Sequence, residues 1–490
     1  MSAEPKRLHV VFFPLMAAGH MIPIIDIAKL FASHHVKTTI VTTPLNAPTL
    51  TKALNTTTTT TTTTTINVEV IPFPHSNEAD GIPQGIENFH KFNSNAMAFN
   101  FLKATTLLQQ SLEQILEKHK PDCLVADVLL TFATDVAAKF NIPRLVFLPA
   151  NCFSQCVTHS LIKYQPFKTV SSDNEEFLIP HLPHEVKLMK SQLPKMMRGD
   201  LDMDIVNTKW MEIFVQAMET ESKSYGVIFN SFYELEPQYA DYYRNVIGRK
   251  AWSIGPVSLC NRENEAKFQR GEDSCIDEHE CLNWLNSKNP NSVVYICFGS
   301  LAQVSNSQLE EIAMGLEASE QDFIWVLSSS EKDDKIEEFE KRVQGKGLII
   351  RGWAPQVLIL DHQAIGAFVT HCGWNSTLEG LSCGVPMVTW PVFAEHFYIE
   401  KLVTQVLETG VGVGAKEWNR MVEGIKWEHI RDAIRKVMVG EEALELRSKA
   451  KKMKDLARKA VEVGGSSYCD LSSLIQELSS YNNATTYVRD

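Results

Sequence analysis

Short apolar runs recur along the chain, and most are followed by a segment whose apolar residues return every three or four positions. LHVVFF at 8–13 is the first run; PLMAAGHMIP follows as a turn, and IIDIAKLFASH then gathers its apolar residues on one helical face. Runs this short, bounded by Gly and Pro, predict buried strands, while the longer period predicts amphipathic helices. KTTIVTT, NVEVIPFP, DCLVAD, RLVFL and GVIFN predict the next five strands, with helices over residues 95–119, 131–140, 151–164 and 211–224. Strands alternating with helices in this way predict a parallel sheet covered on both faces.

The rhythm pauses at WSIGPVSL (252–259) and a polar, charged run that extends to residue 280, then restarts at SVVYICFGS (292–300). IWVL, GLII, AIGAFVT, PMVTW and VGVGA predict further strands, and helices over 442–463 and 467–480 close the chain. The expected organisation is α/β: one doubly wound, Rossmann-like domain over 1–252, a linker over 253–280, a second such domain over 281–466, and a helix and tail over 467–490. Ligands of such sheets bind at the carboxyl ends of the strands, so a cleft between the two domains is expected. Residues 165–205 are polar and interrupted by Pro, which predicts a loop region. Thr56 to Thr65 form a homopolymer with no apolar period and are expected to be a surface loop without chemistry. No internal repeat is visible.

A length of 490 residues exceeds one ordinary domain and fits this division. Apolar residues make up 44% and charged residues 22%, the balance of a globular protein with a large core. The net charge of −12 argues against nucleic acid or an anionic membrane surface as the main partner. The ten cysteines are scattered without a CxxC pair, which points to reduced thiols and a cytoplasmic location. Lys6 and Arg7 before the apolar residues 8–18 imitate a signal peptide, but Pro14 interrupts that run and no small-residue cleavage site precedes Gly19 and His20. No uninterrupted apolar stretch is long enough for a transmembrane helix.

The densest chemistry lies between Trp353 and His396. There AIGAFVT, of strand length, runs into HCGWNSTLEGLSCG, a Gly-bearing turn that opens a helix. A strand that feeds a helix through such a turn presents free backbone N–H groups to a phosphate. The turn adds the imidazole of His371, the carboxamide of Asn375 and the hydroxyl of Ser376; Trp353 stands at one end of the stretch, Glu395 and His396 at the other. A stacking face, an anion cradle and groups suited to sugar hydroxyls together fit a nucleotide sugar.

WAPQ, HCGWNS, the following Glu379, GVPM and WP stand at spacings that resemble the signature box of plant secondary-product glycosyltransferases, the UDP-dependent family of GT-B fold, and the resemblance extends over most of the chain. It implies two Rossmann-like domains facing each other, with the last helix crossing back to the first. It also implies that Trp353 stacks on uracil, that Ala354 reads the base edge through its backbone, and that Gln356 supports the ribose edge or caps the helix beginning there. His371, Asn375 and Ser376 would donate to the diphosphate, with Ser300 in the FGS turn as a further phosphate ligand. Glu379 would accept from the ribose hydroxyls, although Ser376 and Glu379 also have the S-x-x-E spacing of a capping box. Trp374, Glu395 and His396 would face the sugar.

On the acceptor side, GHMIP resembles the family's site for the catalytic base. His20 would take a proton from an acceptor hydroxyl, and Asp127 would stabilise the imidazolium. The plainer alternative makes His20 a polar group at a helix start and Asp127 a cap. A serine hydrolase would need a GxSxG elbow and an epimerase a GxGxxG turn, and the sequence lacks both. A catalytically silent binding protein is disfavoured by the intact His20 and Asp127. Asp202 and Asp204, with Asp200 just before them, have DxD spacing and carboxylate oxygens suited to Mg²⁺ or Mn²⁺, but lie far from the donor box and read as a solvated acidic face. No metal and no cofactor are therefore expected; the UDP-sugar is a co-substrate, and one direct displacement would invert the anomeric centre.

The last box position is usually Gln in glucose users; His396 instead resembles the galactose users and some pentose users. One hydrogen bond discriminates by about 1–3 kcal/mol. Galactose is the first expectation, ahead of glucose and arabinose. Two departures bear on it: Ile399, where the family often has Asn, and LPANC (148–152), where many relatives have an HGT-like turn. The expected acceptor is a small apolar hydroxylated molecule, a triterpenoid saponin ahead of a flavonoid, and a monomer is expected.

Overall fold

The structure is a computed structural model that describes residues 7–55, 66–74, 82–92, 95–198, 205–328 and 334–486. The threonine run 56–65 and the acidic residues Asp200, Asp202 and Asp204 lie outside the described residues.

Two parallel sheets form the framework. The first holds β1 (His9–Phe13), β2 (Lys37–Thr42), β3 (Ile66–Val70), β4 (Cys123–Asp127), β5 (Arg144–Leu148), β6 (Gly226–Phe229) and β7 (Ala251–Ser253) in the order β3-β2-β1-β4-β5-β6-β7. The second holds β8 (Val293–Cys297), β9 (Asp322–Leu327), β10 (Gly347–Arg351), β11 (Ile365–Thr370), β12 (Met387–Thr389) and β13 (Gly410–Gly412) in the order β10-β9-β8-β11-β12-β13. Every residue of β1, β4, β5 and β11 is buried, as expected of strands covered by helices on both faces, and this is why they read as unbroken apolar runs.

In each sheet the strand order reverses once about a central pair. In the first sheet the pair is β1 and β4, in register from Val10 opposite Cys123 to Phe13 opposite Ala126. In the second it is β8 and β11, ending with Cys297 opposite Thr370. Ligands of doubly wound sheets bind at such a reversal, outside the strands' carboxyl ends. The residues leaving these ends are those singled out from the sequence: His20 after β1, Asp127 closing β4, Ser300 after β8 and His371 after β11. Two doubly wound domains thus face each other in the GT-B arrangement.

The last helix, Ser466–Thr486, packs on the first domain. Leu471, Leu474 and Leu478 join a core cluster with Val10, Phe12, Ile228 and Trp252. Asp470 accepts from Arg244 Nη2 at 2.8 Å and from the Ser253 amide at 2.9 Å, which fixes the helix along the β7 edge.

Local differences from the sequence reading have local causes. The segment 95–119 is two helices, Asn95–Thr105 and Gln109–His119, joined by a 3-10 turn. The Thr105 and Thr106 hydroxyls donate back to the carbonyls of Leu102 and Lys103, competing with the helical ladder at the break. The region 165–205 contains an antiparallel hairpin, Glu176–Leu178 with Lys187–Met189, whose strands are too short to carry a visible alternation.

Truncating a fully buried leucine removes its transfer energy and leaves a cavity. Leu474→Ala is expected to cost about 2–5 kcal/mol, and Leu474→Met, which keeps the volume, less than about 1.5 kcal/mol, in urea unfolding followed by tryptophan fluorescence.

Candidate active site

The facing sheet ends enclose a cavity of about 680 Å³. The turns after β1, β4 and β5 line one side; the turns after β8, β10 and β11 and the segment 393–396 line the other. All of the sequence-nominated residues except Asp127 line this one space; Asp127 lies just behind His20.

His20 sits in the first turn of the helix Ala18–Ser33, and its Nδ1 donates to Asp127 Oδ2 at 2.6 Å. The imidazole is 20% exposed toward the cavity and the carboxylate is fully buried. Asp127 Oδ1 accepts from the Leu129 amide at 3.0 Å and so closes its own turn; the next helix, Ala133–Lys139, has Phe132 as its N-cap, so Asp127 does not cap it. With Nδ1 occupied, Nε2 is the free basic nitrogen. Burial pulls the His20 imidazole down, but the charge and hydrogen bond of Asp127, with a further contribution from Glu395, outweigh it, and the pKa rises above its ordinary 6.5. His20 is therefore a stronger base than the unperturbed value suggests.

On the opposite wall, the helix Trp374–Cys383 begins after Gly373 with no side-chain cap. Its first amides are available to an anion. Ser376 and Glu379 both lie inside this helix, so their spacing is not a capping box. Glu379 Oε2 instead accepts from Gln356 Nε2 at 2.7 Å, and Oε1 from Arg270 Nη1 at 2.5 Å. Gln356 also reaches Ser376 Oγ at 3.1 Å, so it braces two donor-side residues. The first-turn position of Gln356, with Pro355 before it and no cap bond, gives it no capping role.

The His371 ring fits a niche between Gly299 and Gly373, where a Cβ on either glycine would overlap it. Burial pushes its pKa down to about 4, offset only in part by a backbone contact at Cys297. Neutral His371 carries a single N–H and no positive charge. Asn375 Nδ2 donates to the Gly19 carbonyl at 2.6 Å and Oδ1 accepts from Asn230 at 3.2 Å, so much of its amide is engaged across the cleft beside His20.

Trp353 is half-buried and rests against Gly271 of the linker. Ala354 and Ser300 line the cavity beside it. At the sugar end, the Trp374 indole is 2% exposed and its Nε1 donates to the Asn230 carbonyl at 2.7 Å. Its N–H is thus spent on the first domain, while the residue still lines the cavity. His396 Nδ1 accepts from the Phe393 amide at 3.3 Å, leaving Nε2 as the protonated nitrogen, and its ring meets His371 edge-on at 4.9 Å. Burial, followed by the proximity of His371, holds its pKa well below the ordinary value. Ile399 is fully buried in the domain core, away from the cavity. In the LPANC turn, Asn151 accepts from the Ser154 amide at 3.1 Å as a helix cap, while Pro149 and Ala150 line the cavity.

Residues 49–443 match the family described as UDP-glucoronosyl and UDP-glucosyl transferase. The chain belongs to this family. Among its relatives, scopoletin glucosyltransferase of Nicotiana tabacum is 53% identical, over 97% of this chain and 99% of the relative. UDP-glucose flavonoid 3-O-glucosyltransferase 7 of Fragaria ananassa is 52% identical, over 98% of each chain. The crystal structure of Glycyrrhiza uralensis UGT73P12 complexed with glycyrrhetinic acid 3-O-monoglucuronide superposes with a TM-score of 0.91 at 39% identity, covering 99% of this chain and 98% of that one. The cavity therefore belongs to a UDP-glycosyltransferase that takes a UDP-sugar donor and a small-molecule acceptor.

Three elements of the glycosyltransferase site were not foreseen. Arg270 and Gly271 come from the charged linker, where no spacing sets them apart. Asn230 follows strand GVIFN, and only its position at a strand end, where sites form, could have drawn attention to it. Among the described residues no group of three or more His, Cys, Asp or Glu side chains is placed to hold a metal.

A histidine base acts only when neutral, so a raised pKa places the acid limb of the kcat/KM profile above pH 6.5, with the rate rising as pH increases through it. Asp127→Asn removes the raising charge while burial still lowers the pKa; the limb is expected to move to lower pH while the plateau falls. His20→Ala is expected to lose about 100- to 10,000-fold in kcat. Steady-state kinetics from pH 5 to 9 check all three.

Proposed function

We propose that this chain is an inverting, metal-independent glycosyltransferase that moves galactose from UDP-galactose to a hydroxyl of an apolar plant metabolite, a triterpenoid saponin in the first place. The observation that carries the catalytic part is the 2.6 Å bond between His20 Nδ1 and Asp127, which leaves Nε2 free toward the same cavity that Glu395 and the uncapped helix line.

The acceptor hydroxyl approaches His20 Nε2, which takes its proton as the oxygen attacks the anomeric carbon. The bond from that carbon to the diphosphate oxygen breaks, and UDP leaves from the opposite face. A single displacement turns an α-linked donor into a β-glycoside. The imidazolium formed is paired with Asp127, which also fixes the tautomer that exposes Nε2. Charge on the departing diphosphate meets the amides that open the helix Trp374–Cys383 and the hydroxyls of Ser300 and Ser376, fixed dipoles that need no reorganisation. Trp353 takes the uracil and Glu379 the ribose hydroxyls, since each Glu379 oxygen retains acceptor capacity beyond its present bond.

Support for galactose comes from His396. With Nδ1 bonded to the backbone, its ring has one N–H to offer, where a glutamine would have two. Glucose and galactose differ only in the orientation of one hydroxyl, and a single donor selects between them by about 1–3 kcal/mol. Relatives named as glucosyltransferases favour glucose as the second reading. For the acceptor, the apolar wall built from Met196, Met197, Trp210, Phe214 and Phe393 suits a large polycyclic body. The complex of the Glycyrrhiza uralensis protein with glycyrrhetinic acid 3-O-monoglucuronide supports a triterpenoid, and the flavonoid name of the Fragaria ananassa relative supports the alternative. No helix among the described residues is long and apolar enough to cross a membrane. A monomer working in the cytoplasm completes the proposal.

A panel of UDP-galactose, UDP-glucose and UDP-arabinose against one triterpenoid and one flavonoid tests it. Galactose is expected to give the highest kcat/KM, and His396→Gln to lower the galactose-to-glucose ratio by about tenfold. An unchanged ratio would remove the sugar argument, and glucose preference in the unaltered protein would replace it. EDTA is expected to leave the rate unchanged; sensitivity to it would reinstate Asp200, Asp202 and Asp204 as metal ligands.

A further inference from the structure

We infer that Arg270, which lies outside the signature box, is a positioning residue of the donor site that ties UDP binding to the docking of the two domains. The inference rests on the proposed placement of ribose at Glu379 and uracil at Trp353.

The linker does more than join the domains. Lys267 Nζ meets Asp361 Oδ2 at 2.8 Å, and the Cys275 amide donates to the Trp353 carbonyl at 2.8 Å, so this strap is pinned to the second domain on both sides of Arg270. Arg270 Nε donates to Asp26 Oδ2 at 2.8 Å and Nη1 to Glu379 Oε1 at 2.5 Å. Asp26 belongs to the helix that carries His20, and Glu379 to the helix whose first turn faces the diphosphate. The side chains are 9%, 1% and 6% exposed respectively, so the bridge is close to dry yet borders the cavity.

A guanidinium has a rigid fork of donors that can serve two carboxylates in fixed directions; a lysine ammonium cannot hold both geometries. Arg270 thereby aims Glu379, whose other oxygen is held by Gln356, and offsets its charge next to the place of an anionic diphosphate. The next residue, Gly271, has φ +96° and lies against Trp353, where a Cβ would overlap the indole. One anchored linker residue thus sets both the ribose carboxylate and the backing of the stacking indole. Because its second carboxylate partner lies in the first domain, nucleotide affinity should respond to a residue outside the nucleotide subsite.

UDP itself is the probe, because its binding is independent of the sugar and acceptor assignments. Calorimetric titration is expected to show Kd raised about fivefold to tenfold in Arg270→Lys and about threefold in Asp26→Asn. The KM for the UDP-sugar should rise in parallel, while the acceptor KM stays within twofold. Arg270→Ala should weaken UDP further; because removing it leaves two buried carboxylates unpaired, the conservative variants carry the test if it does not fold. A UDP Kd and UDP-sugar KM unchanged in folded Arg270→Lys and Asp26→Asn would reduce the bridge to a structural tie and overturn the inference. An equal rise in the acceptor KM would overturn it as well. Normal UDP binding in these variants leaves the donor-site assignment standing, whereas failure of the unaltered protein to bind UDP overturns both.

Discussion

The site exists only while two sheet reversals are held face to face, and hydrogen bonds across the cleft hold them. The Asn375 amide grips the Gly19 carbonyl beside the proposed base, the Asn230 amide grips Asn375, and the Trp374 indole grips the Asn230 carbonyl. Trp374 and Asn230 are almost completely buried, so their polar atoms would be left without partners if the domains docked elsewhere. An unmade buried hydrogen bond costs about 1–3 kcal/mol, which gives the docking a directional preference that apolar burial alone cannot supply. Residues nominated for ligand contact thus prove to be partly joints. Asn375 lines the cavity while its side chain reaches the other domain.

Within that frame the same residue type is tuned in opposite directions by its neighbours. His20 has a buried carboxylate in hydrogen-bonding contact and gains proton affinity; His371, in a glycine niche without a carboxylate, loses it. A base that must accept a proton in the reaction benefits from the first environment. The amides that open the helix Trp374–Cys383 differ from both histidines in that their orientation is fixed by the helix and does not titrate.

Much of this was legible in the sequence because it is coded locally. Strands buried on both faces need continuous apolar residues, so β1, β4 and β11 announce themselves, and the residues that leave them at His20, Asp127 and His371 follow from fold logic. What was not legible is coded by distant partners. HCGWNS does not reveal that Trp374 turns its indole toward Asn230. The S-x-x-E spacing of Ser376 and Glu379 imitates a cap because the true helix start, Gly373, has no capping side chain to mark it. Arg270 is one basic residue among several in a charged run, and only the approach of Asp26 and Glu379 from two domains singles it out. The 95–119 segment kept its helical period across Thr105 and Thr106, whose hydroxyl bonds break the ladder without changing the apolar pattern.

This difference in coding also divides the cleft. Most groups proposed for the donor come from one contiguous stretch, joined by Ser300 and Arg270 from outside it, and several of their polar atoms are held by named partners: Glu379 by Arg270 and Gln356, His396 by the Phe393 amide. The acceptor wall is assembled from separate segments, with Pro149 and Ala150 after β5, Met196 and Met197 in a loop helix, and Trp210 and Phe214 on a long helix. Apolar surfaces recognise area and shape but not hydrogen-bond pattern. On the proposed roles, any hydroxyl that such a wall delivers to His20 Nε2 meets the same base, whereas a sugar must satisfy donors and acceptors fixed in direction. On the proposed assignment the stringency of the enzyme resides in its donor half, and its acceptor half is open to change by substitutions that leave the proposed catalytic pair untouched.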